Sequence, residues 1–178
     1  MPHQIHQTKG IILKGSNIGE SDKLLTVFTE KFGKIHAKAQ GARYLKSKLR
    51  YNLENFSYSN LSLILNRGYW RITGAEEIQN RKQIISEVEK QKTLSRVSIL
   101  LNKMIQGEET DFILWQIVES FFNTLSKENR PPIDQLKKLE TSTVAKILIH
   151  LGYLNEEECK TEKCTITAIN TAIKESML

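Results

Sequence analysis

Between Lys31 and Leu53 the sequence carries Lys31, Lys34, Lys38, Arg43, Lys46, Lys48 and Arg50 and no acidic residue. Ammonium and guanidinium groups at that density attract a polyanion and displace its counterions, which is the chemistry of phosphate binding. Tyr44 and Tyr51 stand among the downstream cations, and an aromatic ring beside a cation suits an unpaired base beside a phosphate. Plainer readings compete. Most charge runs are solvated faces, and a loop tyrosine ordinarily packs beneath its loop. For the cations the binding reading is preferred, with Lys34, Lys38, Arg43, Lys46, Lys48 and Arg50 as the expected phosphate contacts. For each tyrosine, packing is the stronger expectation.

Other chemistries find little support. The nine glycines are scattered, and no phosphate-binding Gly-x-x-x-x-Gly-Lys-Ser/Thr loop occurs. Gly15-Ser16-Asn17-Ile18-Gly19 lacks the spacing of a dinucleotide site. A Gly-x-Ser-x-Gly elbow and a His-Glu-x-x-His helix are both absent, and His3, His6, His36 and His150 are dispersed. His150, among apolar neighbours, reads as a packed or helix-end residue. Cys159 and Cys164 form a Cys-x4-Cys pair with no second pair to complete a structural zinc set. The acids Glu156, Glu157 and Glu158 beside Cys159 disfavour a thiolate. Two incidental thiols are the preferred reading, with zinc bridged between two chains a remote alternative. In Gly19-Glu20-Ser21-Asp22 two carboxylates sit close together, which could serve acid–base chemistry or a metal. With no third ligand in sight, a turn fixed by Ser or Asp side chains is the simpler account. No enzyme, metal or cofactor is expected.

The elements that must position the cations have a short period at first and a long one later. His6–Leu13, Lys23–Thr29, Lys34–Gln40, Phe56–Leu65 and Tyr69–Ala75 read as strands, with hairpin turns at Lys31-Phe32-Gly33 and Asn66-Arg67-Gly68. Alternation along the third strand puts Lys34, His36, Lys38 and Gln40 on one face and Ile35, Ala37 and Ala39 on the other. Five short strands suit a small barrel of the OB type, and an SH3-like barrel has the same strand count. After about Asn80 the period becomes helical. The first stripe is Ile84, Val88, Leu94, Val97, Leu101 and Met104. Thr110 is a candidate cap for a helix carrying Phe112, Trp115, Val118, Phe121, Phe122 and Leu125. A third helix follows Pro131-Pro132 and closes at Gly152, and a last one starts near Thr165. The expected class is α+β, with residues 1–80 a five-stranded OB-fold for nucleic acid and residues 81–178 a small helical bundle.

Charge follows the same division. The net charge of +6 lies wholly in residues 1–80, where twelve Lys and Arg oppose six Asp and Glu; residues 81–178 hold fourteen of each. No apolar run reaches the roughly 18 residues of a membrane span, and the first residues lack a signal-peptide pattern, so a cytoplasmic, nucleoid-associated protein is expected.

The pieces Thr8-Lys9-Gly10-Ile11-Ile12-Leu13, Gly19 to Thr29, Phe32-Gly33-Lys34 and Lys38 to Arg43 resemble, in order and spacing, the opening of the bacterial recombination mediator family RecO. Lys46 to Arg50, the strand from Phe56 and Trp70 to Glu76 extend the likeness across about the first eighty residues; beyond them only Leu148 to Tyr153 matches. The resemblance implies an OB-fold followed by a helical domain, binding of single- and double-stranded DNA and annealing of complementary strands. It further implies partnership with RecR, contact with the tail of single-stranded DNA-binding protein, and help in loading RecA. Many relatives carry a four-cysteine zinc-finger-like insertion after the Leu-Gly-Tyr segment. Only Cys159 and Cys164 occur here, so a short member without zinc is expected. The neutral helical half is the expected place for a groove that takes a partner's acidic, apolar tail, near Lys137, Lys138 and Lys146. An RNA-binding OB protein and a protein-interaction adaptor remain alternatives on residues alone.

Overall fold

The computed structural model describes residues 4–79, 84–127, 130–159 and 162–175. Five strands come first: β1 (Ile5–Ile18), β2 (Asp22–Thr29), β3 (Gly33–Ala39), β4 (Tyr58–Asn66) and β5 (Tyr69–Glu77). They close into a barrel in the order β1-β2-β3-β5-β4. Every pairing is antiparallel except β3 with β5, which runs parallel through Ala37↔Trp70 and Lys38↔Arg71. That topology is the OB-fold.

Closure depends on β1, which must serve two neighbours. Its first half pairs with β4 from Ile5↔Ile64 to Ile11↔Tyr58, and its second half with β2 from Gly10↔Thr29 to Ile18↔Asp22. The register shifts between Ile12 and Lys14, so Leu13 is an extra residue there. Such a bulge bends a strand and sharpens its twist. This is why β1 runs five residues past the Leu13 boundary expected from sequence. β4 starts at Tyr58 rather than Phe56 because Phe56 has φ of +69°, outside the extended region a strand needs. The barrel interior is Ile12, Leu25, Val27, Ile35, Ala37, Ala39, Leu61, Leu63, Trp70 and Ile72, joined by Ala42 and Leu53 from the loop between β3 and β4.

Four α-helices follow among the described residues: α1 (Val88–Met104), α2 (Phe112–Lys127), α3 (Ile133–His150) and α4 (Glu162–Glu175), with a 3-10 turn at Glu156–Cys159. The chain divides into two compact units, Met1–Lys82 with Ser98–Asp111, and Gln83–Val97 with Phe112–Leu178. In the first, the Thr110 hydroxyl donates to the Lys31 carbonyl oxygen at 2.7 Å. It therefore ties to the β2–β3 turn, and α2 opens at Phe112, so Asp111 and not the expected Thr110 stands at the position that precedes it. The Trp70 indole donates to Glu108 Oε2 at 3.0 Å.

In the second unit Trp115, Val118, Phe121, Phe122, Leu125, Leu136, Val144, Ile147 and Leu148 are buried, as their spacing requires. Val88 and Phe112 are exceptions, 64% and 58% exposed: each opens its helix, where the first turn has fewer neighbours. The end of α3 falls where Gly152 predicts. Its N–H donates to Ile149 O, the Tyr153 N–H reaches Leu148 O at 2.8 Å, and Gly152 takes φ of +79°, the paired bonds of a glycine-closed helix. No helix among the described residues is long and apolar enough to cross a membrane.

Candidate nucleic-acid interface

On β3, Ile35, Ala37 and Ala39 point into the barrel, fully buried, while Lys34, His36 and Lys38 point outward. The alternation read from the sequence holds. Strand register then adds neighbours that a linear reading cannot supply. Thr26 lies between Lys14 and His36, and its hydroxyl is 3.3 Å from His36 Nδ1. Lys38 lies between Leu24 and Arg71. Lys14 and Arg71 are exposed and join this outer face. Neither belongs to the basic run, and only the pairing of β1 with β2 and β3 with β5 reveals them.

The cations on β3 are less available than those that follow. The Lys34 ammonium donates to the Asn102 carbonyl oxygen at 2.7 Å, and burial pushes its pKa below the ordinary lysine range. Lys38 Nζ is 2.8 Å from Asp22 Oδ2. Asp22 also accepts from the Gly41 N–H at 2.8 Å and from the Ser21 hydroxyl at 3.1 Å. Those donors, with Lys38 foremost, lower its pKa from 3.8 to about 2. The Gly19-Glu20-Ser21-Asp22 turn is thus fixed by side chains, and Asp22 ties it to the end of β3 and to the loop beyond. Arg43 completes the tie: its N–H donates to Ser21 O, and its guanidinium to Gly19 O, both at 2.9 Å.

From Gly41 the chain makes three successive turns, with Tyr44 N–H donating to Gly41 O, Ser47 N–H to Tyr44 O and Arg50 N–H to Ser47 O. Ala42 and Leu53 are fully buried in the barrel core and Leu49 packs against it. Asn52 Nδ2 donates to Ala75 O at 2.8 Å, and Lys23 pairs with Glu54 at 2.6 Å. These anchors hold the backbone down and turn the intervening side chains out. Arg43, Lys46 and Lys48 are exposed. Among the described residues neither they nor Arg50 pair with a carboxylate.

The tyrosines depart from expectation. Tyr44 is 63% and Tyr51 72% exposed; Ala42 and Leu53, with Leu49 against them, are the loop residues that pack on the barrel core. The Arg50 guanidinium carbon sits 5.8 Å from the Tyr51 ring centre, within cation–π range.

In the helical unit, Lys138 and Lys146 line one depression of about 390 Å³ with Thr141, Ser142, Ala145, Ile149 and Thr165. Lys137 is not part of it and lies close enough to Glu89 to favour that carboxylate's charged form. Arg96 grips Glu140 with two bonds of 2.5 Å. Cys164 is exposed, and the side chain of Cys159 lies outside the described residues. No group of three or more His, Cys, Asp or Glu is gathered as a metal set among the described residues.

Comparison with known proteins adds an independent line. Residues 1–81 match the family described as Recombination protein O N terminal. The DNA repair protein RecO of Halalkalibacterium halodurans is 27% identical over 172 residues, covering 96% of this chain and 66% of that protein. The protein of the same name from Clostridium acetobutylicum is 26% identical over 90% of this chain and 63% of its own length. That of Clostridium perfringens is 33% identical over 110 residues, 62% of this chain and 45% of the relative. The chain spans less than two thirds of the length of these relatives.

Proposed function

We propose that the chain is a RecO-type, non-enzymatic DNA-binding mediator of recombination and repair that grips single and double strands by the sugar-phosphate backbone, a reading supported by the match of residues 1–81 to the Recombination protein O N-terminal family and by the likeness to RecO proteins. The observation that carries the reading is the loop over residues 41–51: exposed Arg43, Lys46 and Lys48 and half-buried Arg50 have no carboxylate partner among the described residues, on a backbone pinned at Ala42, Leu49 and Leu53. Contacts to phosphates position a protein on DNA without reading its sequence. A protein that screens repulsion between two strands and leaves base edges free promotes their annealing. Lys38 and Lys34, engaged by Asp22 and by the Asn102 carbonyl, flank this loop without counting among its phosphate contacts, and Lys14 and Arg71 extend the positive face along the barrel. The OB-fold residues 1–80 carry the DNA role; residues 81–178 carry the partner role.

For partners, the reading assigns RecR, RecA loading and the acidic tail of single-stranded DNA-binding protein, within the cytoplasm and at the nucleoid. The depression bounded by Lys138 and Lys146 supports the tail: two ammonium groups flank the apolar floor of Ala145 and Ile149. Lys137 lies outside this depression and is assigned no contact.

The test is a strand-annealing and anisotropy assay on bare and coated single strands. The variant Arg43→Ala, Lys46→Ala, Lys48→Ala, Arg50→Ala is expected to lose affinity for every sequence alike while its circular-dichroism spectrum stays that of the folded protein. Unaltered affinity removes the loop from the site. Equal-length RNA serves as competitor: RNA displacing DNA at lower concentration would favour an RNA-binding protein instead. For the groove, Lys138→Glu with Lys146→Glu should abolish binding of an acidic peptide that Lys137→Glu leaves intact.

A further inference from the structure

We infer that Tyr44 and Tyr51 make the loop selective for an unpaired strand over a duplex by stacking on two exposed bases, an assignment that rests on the DNA-binding reading above. Both rings are more than three-fifths exposed, on a segment whose backbone is hydrogen-bonded at every third residue and anchored on both sides in the barrel core. Exposing two large rings on a fixed platform leaves apolar surface in water for which the fold has no use, since Ala42, Leu49 and Leu53 already do the packing. Neither phenol makes a hydrogen bond within the described structure that would explain its position.

The chemistry of the neighbours specifies the ligand. Tyr44 stands between Arg43 and Lys46, and Tyr51 directly follows Arg50, whose guanidinium lies over its ring. Each ring therefore has cations beside it. An unpaired nucleotide presents both groups such a pair recognises, a flat base and a phosphate a few ångströms away. In a duplex the base faces are stacked on one another and only the phosphates remain accessible. The cations then act on both forms, whereas the rings act on single strands alone. A Cβ at position 41 would sit 3.2 Å from the Tyr44 ring, so glycine there leaves the ring its room.

The experiment compares a labelled oligothymidylate with a blunt hairpin duplex of equal phosphate number, titrated at several salt concentrations. Tyr44→Ala with Tyr51→Ala is expected to weaken single-strand binding by at least about thirtyfold, to leave duplex affinity within about twofold and to leave both salt slopes unchanged. Tyr44→Phe with Tyr51→Phe should bind like the wild type, because the ring and not the hydroxyl stacks. Equal losses on both substrates, or no loss on either, would overturn the assignment, and so would a Phe variant as weak as the Ala variant. If the wild type binds neither substrate, the DNA-binding reading itself fails and this one with it. If the wild type binds both and the ring variants match it, only the stacking assignment falls.

Discussion

The salt dependence of single-strand binding can be worked from the geometry of each cation. The basic run offers six candidate phosphate contacts in Lys34, Lys38, Arg43, Lys46, Lys48 and Arg50. Lys34 is turned toward the Asn102 carbonyl and partly desolvated, and Lys38 is neutralised by Asp22 at 2.8 Å. Four cations that are exposed or half-buried and have no carboxylate partner among the described residues remain, Arg43 giving one guanidinium N–H to the Gly19 carbonyl and keeping its charge. At about −0.7 per phosphate the slope of log affinity against log salt should be near −2.8, so affinity falls about fiftyfold between about 50 and 200 mM salt. Removing Arg43, Lys46, Lys48 and Arg50 together should flatten the slope toward zero. A residual slope of about −1.4 would assign two contacts to Lys14 and Arg71 on the strand face. Lys38→Ala should leave the slope unchanged, while Asp22→Asn, which frees the Lys38 charge, should steepen it by about 0.7. Fluorescence anisotropy over a salt series measures all of these. A wild-type slope near zero refutes the reasoning, as does a quadruple variant that keeps the full slope.

Acid should loosen the loop by way of Asp22. Its folded pKa of about 2 lies below the ordinary 3.8, so the stabilisation it gives is complete above the higher value and lost as pH falls through the lower. Protection of the Gly41 and Arg43 amides, measured against their intrinsic exchange rates, is expected to fall across that interval, and Asp22→Asn should show the low protection already at neutral pH. Gly33→Ala forces a side chain into φ of +60° with its Cβ 2.1 Å from the Glu109 carbonyl oxygen; a urea melt should register a loss of at least about 2 kcal/mol. Leu53→Ala empties a fully buried position beneath the loop and should cost about 2–5 kcal/mol in the same melt. A loss under about 1 kcal/mol there would mean that Leu53 does not anchor the loop.

How much of this was legible in the sequence depends on the range of the interaction concerned. Alternation is local, so the outward placement of Lys34, His36 and Lys38 could be read directly from β3. Whether their charges are available is decided by partners far along the chain: Asn102 lies 68 residues from Lys34, and Asp22 reaches Lys38 only because β2 and β3 pair. Gly152 announced a helix end because that signal is local as well. Thr110 is one residue from the helix start because Thr and Asp are both good caps and Asp111 directly precedes Phe112, while the bond of the Thr110 hydroxyl to Lys31, 79 residues away, has no local signal. The tyrosines were misjudged for a related reason. Which residues of a loop pack is a contest, and Ala42, Leu49 and Leu53 win it only once the barrel wall beneath them exists. Lys14 and Arg71 had no sequence signal: the bulge at Leu13 and the parallel register of β3 with β5 bring them to the same face.

Net charge therefore measures this site poorly. In residues 1–80 the acid Asp22 cancels one lysine of the run, yet the same carboxylate fixes Gly41 and, through the adjoining Ser21 and Gly19 carbonyls, the arginine that opens the loop. One cation is given up and four are held in position. Ligand binding to a disordered basic tail must order backbone and side chains together, whereas here the backbone is already bonded and only side-chain freedom remains to be lost. Replacing Asp22 should accordingly have opposite effects on two observables. The electrostatic slope steepens as Lys38 is released, while affinity at high salt, where packing and stacking carry binding, declines as the loop loosens. A variant that gained affinity at every salt concentration would show that charge alone matters and that the anchored loop contributes nothing.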